Sequence, residues 1–384
     1  MANNNKHTGP NVPALRFPEF SGEWLNSKLG SIAEFSKGTG ISKDQRSETG
    51  NPCILYGELY TRYKSEVIKN IISKTDLPDT DLVKSKSNDI IIPASGETAE
   101  DIATARCVPF DNILLGGDLN IIRLMNQDGR FFSYQLNGVR KYDVATVAQG
   151  VSVVHLHAGD LKGITVKYPA DIAEQRKISE MISIIDDRIE TQSKIIEEQE
   201  TLLKSLADKL FLQNNHSCQL SELVDIIKGK QLNSDILSEE GDYYVMNGGV
   251  SPSGYYSEYN VPAGAISVSE GGNSCGYVQF NEDPFWSGGH CYSLRSISTI
   301  VDYKYIYYFL KAKQTDVMAL RIGSGLPNIQ KKDIEKFTVS FPPLQQQKQF
   351  VKALDAVSAK INTEKMLLEK YRQQKDYLLS RMFI

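Results

Sequence analysis

Asp171-Ile172-Ala173-Glu174-Gln175-Arg176-Lys177-Ile178 opens a stretch, residues 171–213, that contains neither proline nor glycine. Its apolar residues fall at Ile182, Ile185, Ile189, Ile196, Leu203, Leu206 and Leu210. That alternation of three and four predicts a single long helix with one apolar seam, interrupted by Gln192 and Gln199. At 1.5 Å per residue such a helix is about 64 Å long.

The stretch is half of a repeat. At an offset of 172 residues, Gln346-Gln347-Lys348-Gln349-Phe350 stands where Glu174-Gln175-Arg176-Lys177-Ile178 stood. The seam returns at Leu354, Val357, Ile361, Leu368, Leu378 and Met382, interrupted by Glu364, Tyr371 and Lys375. Both copies follow a strand-like run that ends in proline: Lys162 to Pro169, and Glu335 to Pro342. The similarity extends upstream. Leu29 to Gly38 resembles Leu220 to Gly229, Ile91 to Gly96 resembles Ile266 to Gly271, and Gly116-Gly117-Asp118 resembles Gly288-Gly289-His290. Two long units of one kind are implied, not a many-repeat solenoid.

Charge connects the two helices. Residues 171–213 carry 6 basic and 10 acidic side chains, and residues 344–384 carry 8 and 4. Opposite net charge on matching seams favours their pairing with each other. The same seams also suit two separate amphipathic helices, each packed on its own domain. The repeat symmetry suits an antiparallel pair.

The expected organisation is a first globular domain over 1–170, a helix over 171–213, a second globular domain over 214–343 and a helix over 344–384. The globular halves read as mixed α+β. Short β-rich runs lie at Asp89 to Pro93, Asn112 to Leu115, Leu119 to Leu124, Gly264 to Val268 and Cys275 to Phe280, with a helix near Tyr303 to Lys313. Each half is expected to open with an amphipathic helical turn and then a Lys-Gly turn, Lys37-Gly38 or Lys228-Gly229.

Composition excludes several classes. The 384 residues, 41% hydrophobic and 23% charged with a net charge of −4, describe an ordinary globular chain of about two domains. No apolar run approaches the ~20 residues that cross a bilayer, and Met1 to Arg16 lacks a signal-peptide core, so a cytoplasmic protein is expected. Cys53, Cys107, Cys218, Cys275 and Cys291 are scattered, which argues against a disulfide framework or zinc site. His155 and His157 alternate in the strand-like run Val151 to His157 with no third ligand in view. There is no phosphate loop, dinucleotide fingerprint, G-x-S-x-G elbow or H-E-x-x-H helix. Phe341-Pro342-Pro343-Leu344 lacks the flanking residues of an amino-methyltransferase tetrapeptide. No catalytic residue, metal site or cofactor site is expected in this chain.

The loops have binding character. Tyr60, Thr61, Arg62 and Lys64 interleave aromatic, hydroxyl and basic side chains. Ser95, Glu97 and Thr98 form a polar loop. In the second half Asn247 lies in a Gly/Ser/Tyr-rich loop, and Ser269, Glu270, Asn273 and Ser274 in another. Such side chains read base edges, and glycine permits close backbone approach. Tyr/Gly/Ser turns are equally at home in any β-rich domain. Residues 1–170 carry 19 basic and 19 acidic residues, and 214–343 carry 10 and 14. A DNA binder with that balance must cluster its cations or borrow phosphate neutralisation from a partner.

Domain, long helix, domain, long helix resembles the specificity subunit of type I restriction-modification systems, over about Val12 to Ile384. The opening Pro13-Ala14-Leu15-Arg16-Phe17-Pro18-Glu19-Phe20 with Glu23-Trp24 is similar to the start of many such subunits. So are the proline-to-glutamine junctions, and the helix ending Leu206 to Phe211. The resemblance implies two target recognition domains, each reading half of a split double-stranded DNA sequence, held apart by an antiparallel coiled coil. It implies docking of two methyltransferase subunits, which bind S-adenosylmethionine, and of restriction subunits with translocase activity. Unlike loops imply an asymmetric target. Two other readings stay open: the specificity partner of a related methylation-based defence complex, and a non-enzymatic two-headed scaffold for protein or carbohydrate ligands.

Overall fold

The computed structural model describes residues 11–78, 80–150, 153–211, 216–323 and 325–384. Met1 to Pro10, and Val151 and Ser152 of the run that holds the two histidines, lie outside the described residues. The chain divides into two compact units, Met1–Ser193 with Leu367–Ile384 and Lys194–Met366. Each unit holds one globular part and half of each long helix. The helices run Ile172–Phe211 and Leu344–Met382.

The two globular parts share one topology. In unit 1 a four-stranded antiparallel sheet is ordered Ala33–Lys37, Leu119–Leu124, Asp89–Pro93, Arg106–Val108; in unit 2 the order is Val224–Lys228, Cys291–Ser296, Ala265–Ser269, Val278–Asn281. Each unit has a three-stranded sheet with one parallel pair, Asn51–Ile54 beside Leu114–Leu115 and Tyr243–Met246 beside Trp286–Ser287. Each also has a two-stranded entry: Leu25–Lys28 pairs with Thr165–Tyr168, and His216–Gln219 with Thr338–Phe341.

Strand register corrects the repeat alignment by one residue. Ile90 lies opposite Ile122 as Ile266 lies opposite Leu294, so Pro93 corresponds to Ser269 and Ala94 to Glu270. The helical turns that open each half, Leu29–Ile32 and the 3-10 turn Leu220–Glu222, are followed by a full strand before the Lys-Gly turn. Close approach to the later Gly-Gly pairs explains the glycine of each Lys-Gly turn. A Cβ on Gly38 would overlap the Gly116 carbonyl oxygen, and one on Gly229 the Gly288 carbonyl oxygen.

Within unit 1 the two helix segments run antiparallel, since Lys375 meets Asp186 at 2.7 Å and the Arg188 guanidinium lies over the Tyr371 ring. Within unit 2 Lys365 meets Glu200 at 2.6 Å, while Val351 and Leu354 share a core with Ala207 and Phe211, again antiparallel. The seam residues Ile182, Ile185, Ile196, Leu354, Ile361 and Leu378 are buried. Ile189, Leu203, Leu206, Val357 and Leu368 are half-buried. Burying such aliphatic side chains contributes roughly 1.5–3 kcal/mol each when complete.

Candidate functional site

The two helix junctions are built alike, and a glutamine organises each. The Gln175 side-chain oxygen accepts the backbone N–H of Asp128 at 3.0 Å, and its amide donates to the Pro169 carbonyl at 2.8 Å. The Gln347 oxygen accepts the N–H of Asp302 at 2.8 Å, and its amide donates to the Pro342 carbonyl at 2.7 Å. Asp128 and Asp302 are N-caps of the helices Gly129–Asn137 and Tyr303–Ala312, with carboxylates that accept two N–H groups each. One buried amide thus fixes the end of a strand, the start of a long helix and the cap of a third element. The signal for it was the repeated glutamine in the quoted junctions.

The N-terminal segment docks on the first junction. Arg16 makes two 2.8 Å bonds to the buried Glu174 carboxylate, and the Trp24 indole N–H donates to it at 3.2 Å. That bidentate contact raises the Arg16 pKa, the hydrogen bond to Glu174 outweighing partial burial. Leu15 N–H also donates to the Arg381 carbonyl at 2.9 Å.

In unit 1 the recognition candidates fall into two groups. Tyr60 and Thr61 belong to the short helix Glu58–Thr61. Burial raises the Tyr60 pKa, and Tyr56, Asp101 and Glu97 add to the shift. Thr98 caps the helix Ala99–Ile102 by accepting the Asp101 N–H. Glu97, Thr98 and Thr61 are exposed, whereas Ser95 is buried in a two-residue strand paired with Val154–His155. Arg62 and Lys64 instead line a groove of about 720 Å³ with Lys69, Arg372 and Lys375. The Arg62 guanidinium donates to the buried Glu58 at 3.1 Å while much of its side chain stays in solvent.

In unit 2 three loops are knitted into one cluster. Ser269 Oγ donates to the Gly248 carbonyl at 2.6 Å, Asn247 Oδ1 accepts the His290 N–H at 3.1 Å, and Glu270 N–H donates to the His290 carbonyl at 2.9 Å. Glu270 Oε1 receives Lys228 at 2.6 Å and the Tyr292 hydroxyl at 2.9 Å. Its Oε2, 3.6 Å from His290 Nδ1, has no hydrogen-bond partner among the described residues. Burial and the Glu270 bond push the Tyr292 hydroxyl pKa up. Asn273 is exposed and Ser274 half-buried on the turn that follows. His290 was missed as a member of this cluster, although the Gly288-Gly289-His290 motif carried it.

Among the described residues, no group of three or more His, Cys, Asp or Glu side chains is disposed to hold a metal ion. Nor, among the described residues, is any helix long and apolar enough to cross a membrane.

Comparison with known proteins gives one answer. The family described as "Type I restriction modification DNA specificity domain" matches residues 21–201 and again 214–370. A putative type I specificity subunit from Mycoplasma genitalium is 24% identical over 281 residues, covering 69% of this chain and 73% of that protein. A second, from Mycoplasma pneumoniae, is 24% identical over 260 residues, 59% of this chain and 68% of its own length. The crystal structure of a type I restriction-modification S subunit from M. genitalium superposes with a TM-score of 0.72 at 21% identity, covering 97% of this chain and 99% of that one.

Proposed function

The chain belongs to the type I restriction modification DNA specificity family, and we propose that each of its two units reads one half of a split, asymmetric double-stranded DNA target. It is a specificity subunit and not itself an enzyme; the chemistry of such systems lies in partner subunits. The observation that carries the two-half reading is the duplication itself. The same three sheets and the same glutamine junction occur twice, while the loops they present differ. One scaffold with two unlike loop sets fits one binding mode applied to two unlike sequences.

In this reading the contacts in unit 1 come from Tyr60, Thr61, Glu97 and Thr98 on one side and Arg62 and Lys64 on the other. In unit 2 they come from Asn247, Asn273 and Ser274, with Ser269 and Glu270 holding the loops in place. The helices dock two methyltransferase subunits, which bring S-adenosylmethionine, and restriction subunits join that assembly in the cytoplasm. In the same reading residues 1–170 and 214–343 recognise the target, while 171–213 and 344–384 assemble the complex.

The test is co-expression with the neighbouring methyltransferase gene, followed by methylome sequencing of the host DNA. A split, asymmetric motif with methylated adenine is expected. A stable complex with no methylated motif would sink the DNA reading and favour the two-headed scaffold. Arg62→Ala is expected to weaken binding or relax one half-site, by about 1–3 kcal/mol, and to leave the other half-site intact. Unchanged affinity and an unchanged motif would remove Arg62 from the contact set.

A further inference from the structure

The two units treat one equivalent surface in opposite ways. In the three-stranded sheets Cys53 lies beside Leu114 as Val245 lies beside Trp286, and Asn51 pairs with Thr75 as Tyr243 pairs with Tyr256. In unit 1 the chain closes this face itself. Leu77 and Leu82 pack over Ile41, Cys53, Leu55 and Leu114, and the Leu115 N–H donates to the Val83 carbonyl. Leu114 is 1% exposed there.

In unit 2 the same face is a row of rings left partly in solvent. Tyr259 packs on Tyr243 at 4.9 Å, Tyr243 stands across from Tyr256, and Tyr256 packs on Trp286 at 5.2 Å. Tyr259 is 50% exposed, and Tyr243, Tyr256 and Trp286 are half-buried. The Trp286 indole N–H donates to the Lys230 carbonyl at 2.8 Å, which holds that ring in place.

Charge along this row is uneven: the exposed Lys230 stands at the Trp286 end, whereas the charges adjoining Tyr243 and Tyr259 are carboxylates. Between Lys230 and Arg295 the sequence has eight acidic residues and no lysine or arginine. Asp242 and Glu258 adjoin Tyr243 and Tyr259, are exposed, and have no ion pair among the described residues. Ring faces and unpaired carboxylates together attract guanidinium and ammonium groups. They repel phosphate, so DNA is a poor occupant. Tyrosine and tryptophan are also the side chains enriched at the centres of protein interfaces.

We infer that this face of unit 2 is a docking surface for an arginine- or lysine-bearing segment of the methyltransferase subunit. The inference rests on the proposed function, since it takes its partner from that reading. It assigns the partner a contact on one recognition unit that the other unit, with its face closed by Leu77 and Leu82, does not offer.

The experiment titrates the full-length chain with the purified methyltransferase subunit, using wild type, Tyr259→Ala, the double variant Asp242→Lys/Glu258→Lys, and Glu48→Lys in unit 1 as a charge control. Both unit 2 variants are expected to weaken association tenfold or more, with the control within twofold of wild type. DNA affinity measured at saturating methyltransferase should stay within twofold. Association unchanged in both unit 2 variants would overturn the inference. So would a loss confined to DNA affinity, which would make this a DNA face, or a wild-type dimer that Tyr259→Ala converts to monomer, which would make a second copy the occupant. If the wild-type chain fails to bind the methyltransferase at all, the functional reading fails first, and the wild-type titration alone shows it.

Discussion

Unit 1 and unit 2 close their helix seams with different chemistry at equivalent positions. In unit 1 Lys375 is inserted between Glu66 at 2.6 Å and Asp186 at 2.7 Å, and Asp186 also accepts the Tyr134 hydroxyl at 2.7 Å. Burial works to lower the Lys375 pKa, but Glu66 and Asp186 outweigh it and leave the pKa raised. In unit 2 the repeat offset puts Leu203 in the place of Lys375 and Ser358 in the place of Asp186. Tyr308 there donates to Asp355 at 2.6 Å. The difference teaches that the repeat conserves shape more strictly than polarity. In unit 1 a largely buried lysine sits between two carboxylates; in unit 2 the half-buried Leu203 holds the lysine position and Tyr308 bonds Asp355 and Ser358 instead, so each arrangement satisfies its own groups.

The comparison can be broken most directly at Lys375. Lys375→Met leaves Glu66 and Asp186 buried without their cation, and should cost unit 1 about 3–5 kcal/mol. Urea unfolding of the variant should show that loss, whereas Leu203→Met in unit 2 should change the same curve by less than about 1.5 kcal/mol. Equal effects would mean that the two seams are energetically alike after all. The Lys375 contribution should be constant through neutral pH and fade only as pH rises above the ordinary lysine range, because a raised native pKa favours folding below it.

A smaller effect is expected at the shared junction. Gln347→Ala leaves the Asp302 N–H and the Pro342 carbonyl without their side-chain partner, at roughly 1–3 kcal/mol, and Gln175→Ala should match it within the error of the measurement. Unequal losses would show that the junctions are alike in geometry and unlike in strength.

The smallest effect is a pH slope confined to unit 2. Lys311 donates to the Val278 carbonyl at 2.8 Å and to Gln314 at 2.9 Å, and lies 3.9 Å above the Tyr277 ring. Burial lowers its pKa to about 8 from 10.5. Between those values the unfolded chain binds a proton that the native chain does not, so stability should rise with pH across that window. Lys311→Met should flatten the rise; an identical slope in the variant would refute the assignment.

The long helices were legible because their signal is long: seam residues three and four apart over 40 positions outweigh any local ambiguity. The Gly116-Gly117 and Gly288-Gly289 pairs were legible as repeat marks, although the close approach of Gly38 and Gly229 to their carbonyls needed the fold. Short strands such as Leu25–Lys28 were not legible, since four residues carry too little alternation to set them apart from a loop. The one-residue slip in the mid-unit alignment has a similar origin. Ile90 to Ile92 is an isoleucine run in unit 1, while unit 2 reads Ile266-Ser267-Val268, so only hydrogen-bond register fixes the match. Ser269 and Glu270 read as surface loop residues because their partners are distant in sequence. Lys228 is 42 residues away and Tyr292 is 22. A polar side chain looks exposed until the group that satisfies it is known.

The composition of unit 1 constrains the order of events during synthesis. That unit needs Leu367–Ile384, with Leu378, Met382 and Phe383 in its core, yet its other residues end at Ser193. Every residue of unit 2 is therefore translated before the last pieces of unit 1 exist. The domain that begins first is completed last. A ribosome pausing after Met366 would hold a chain whose second recognition domain has all of its sequence and whose first still exposes the apolar faces of Ile178, Ile182 and Ile185 to whatever chaperone is at hand.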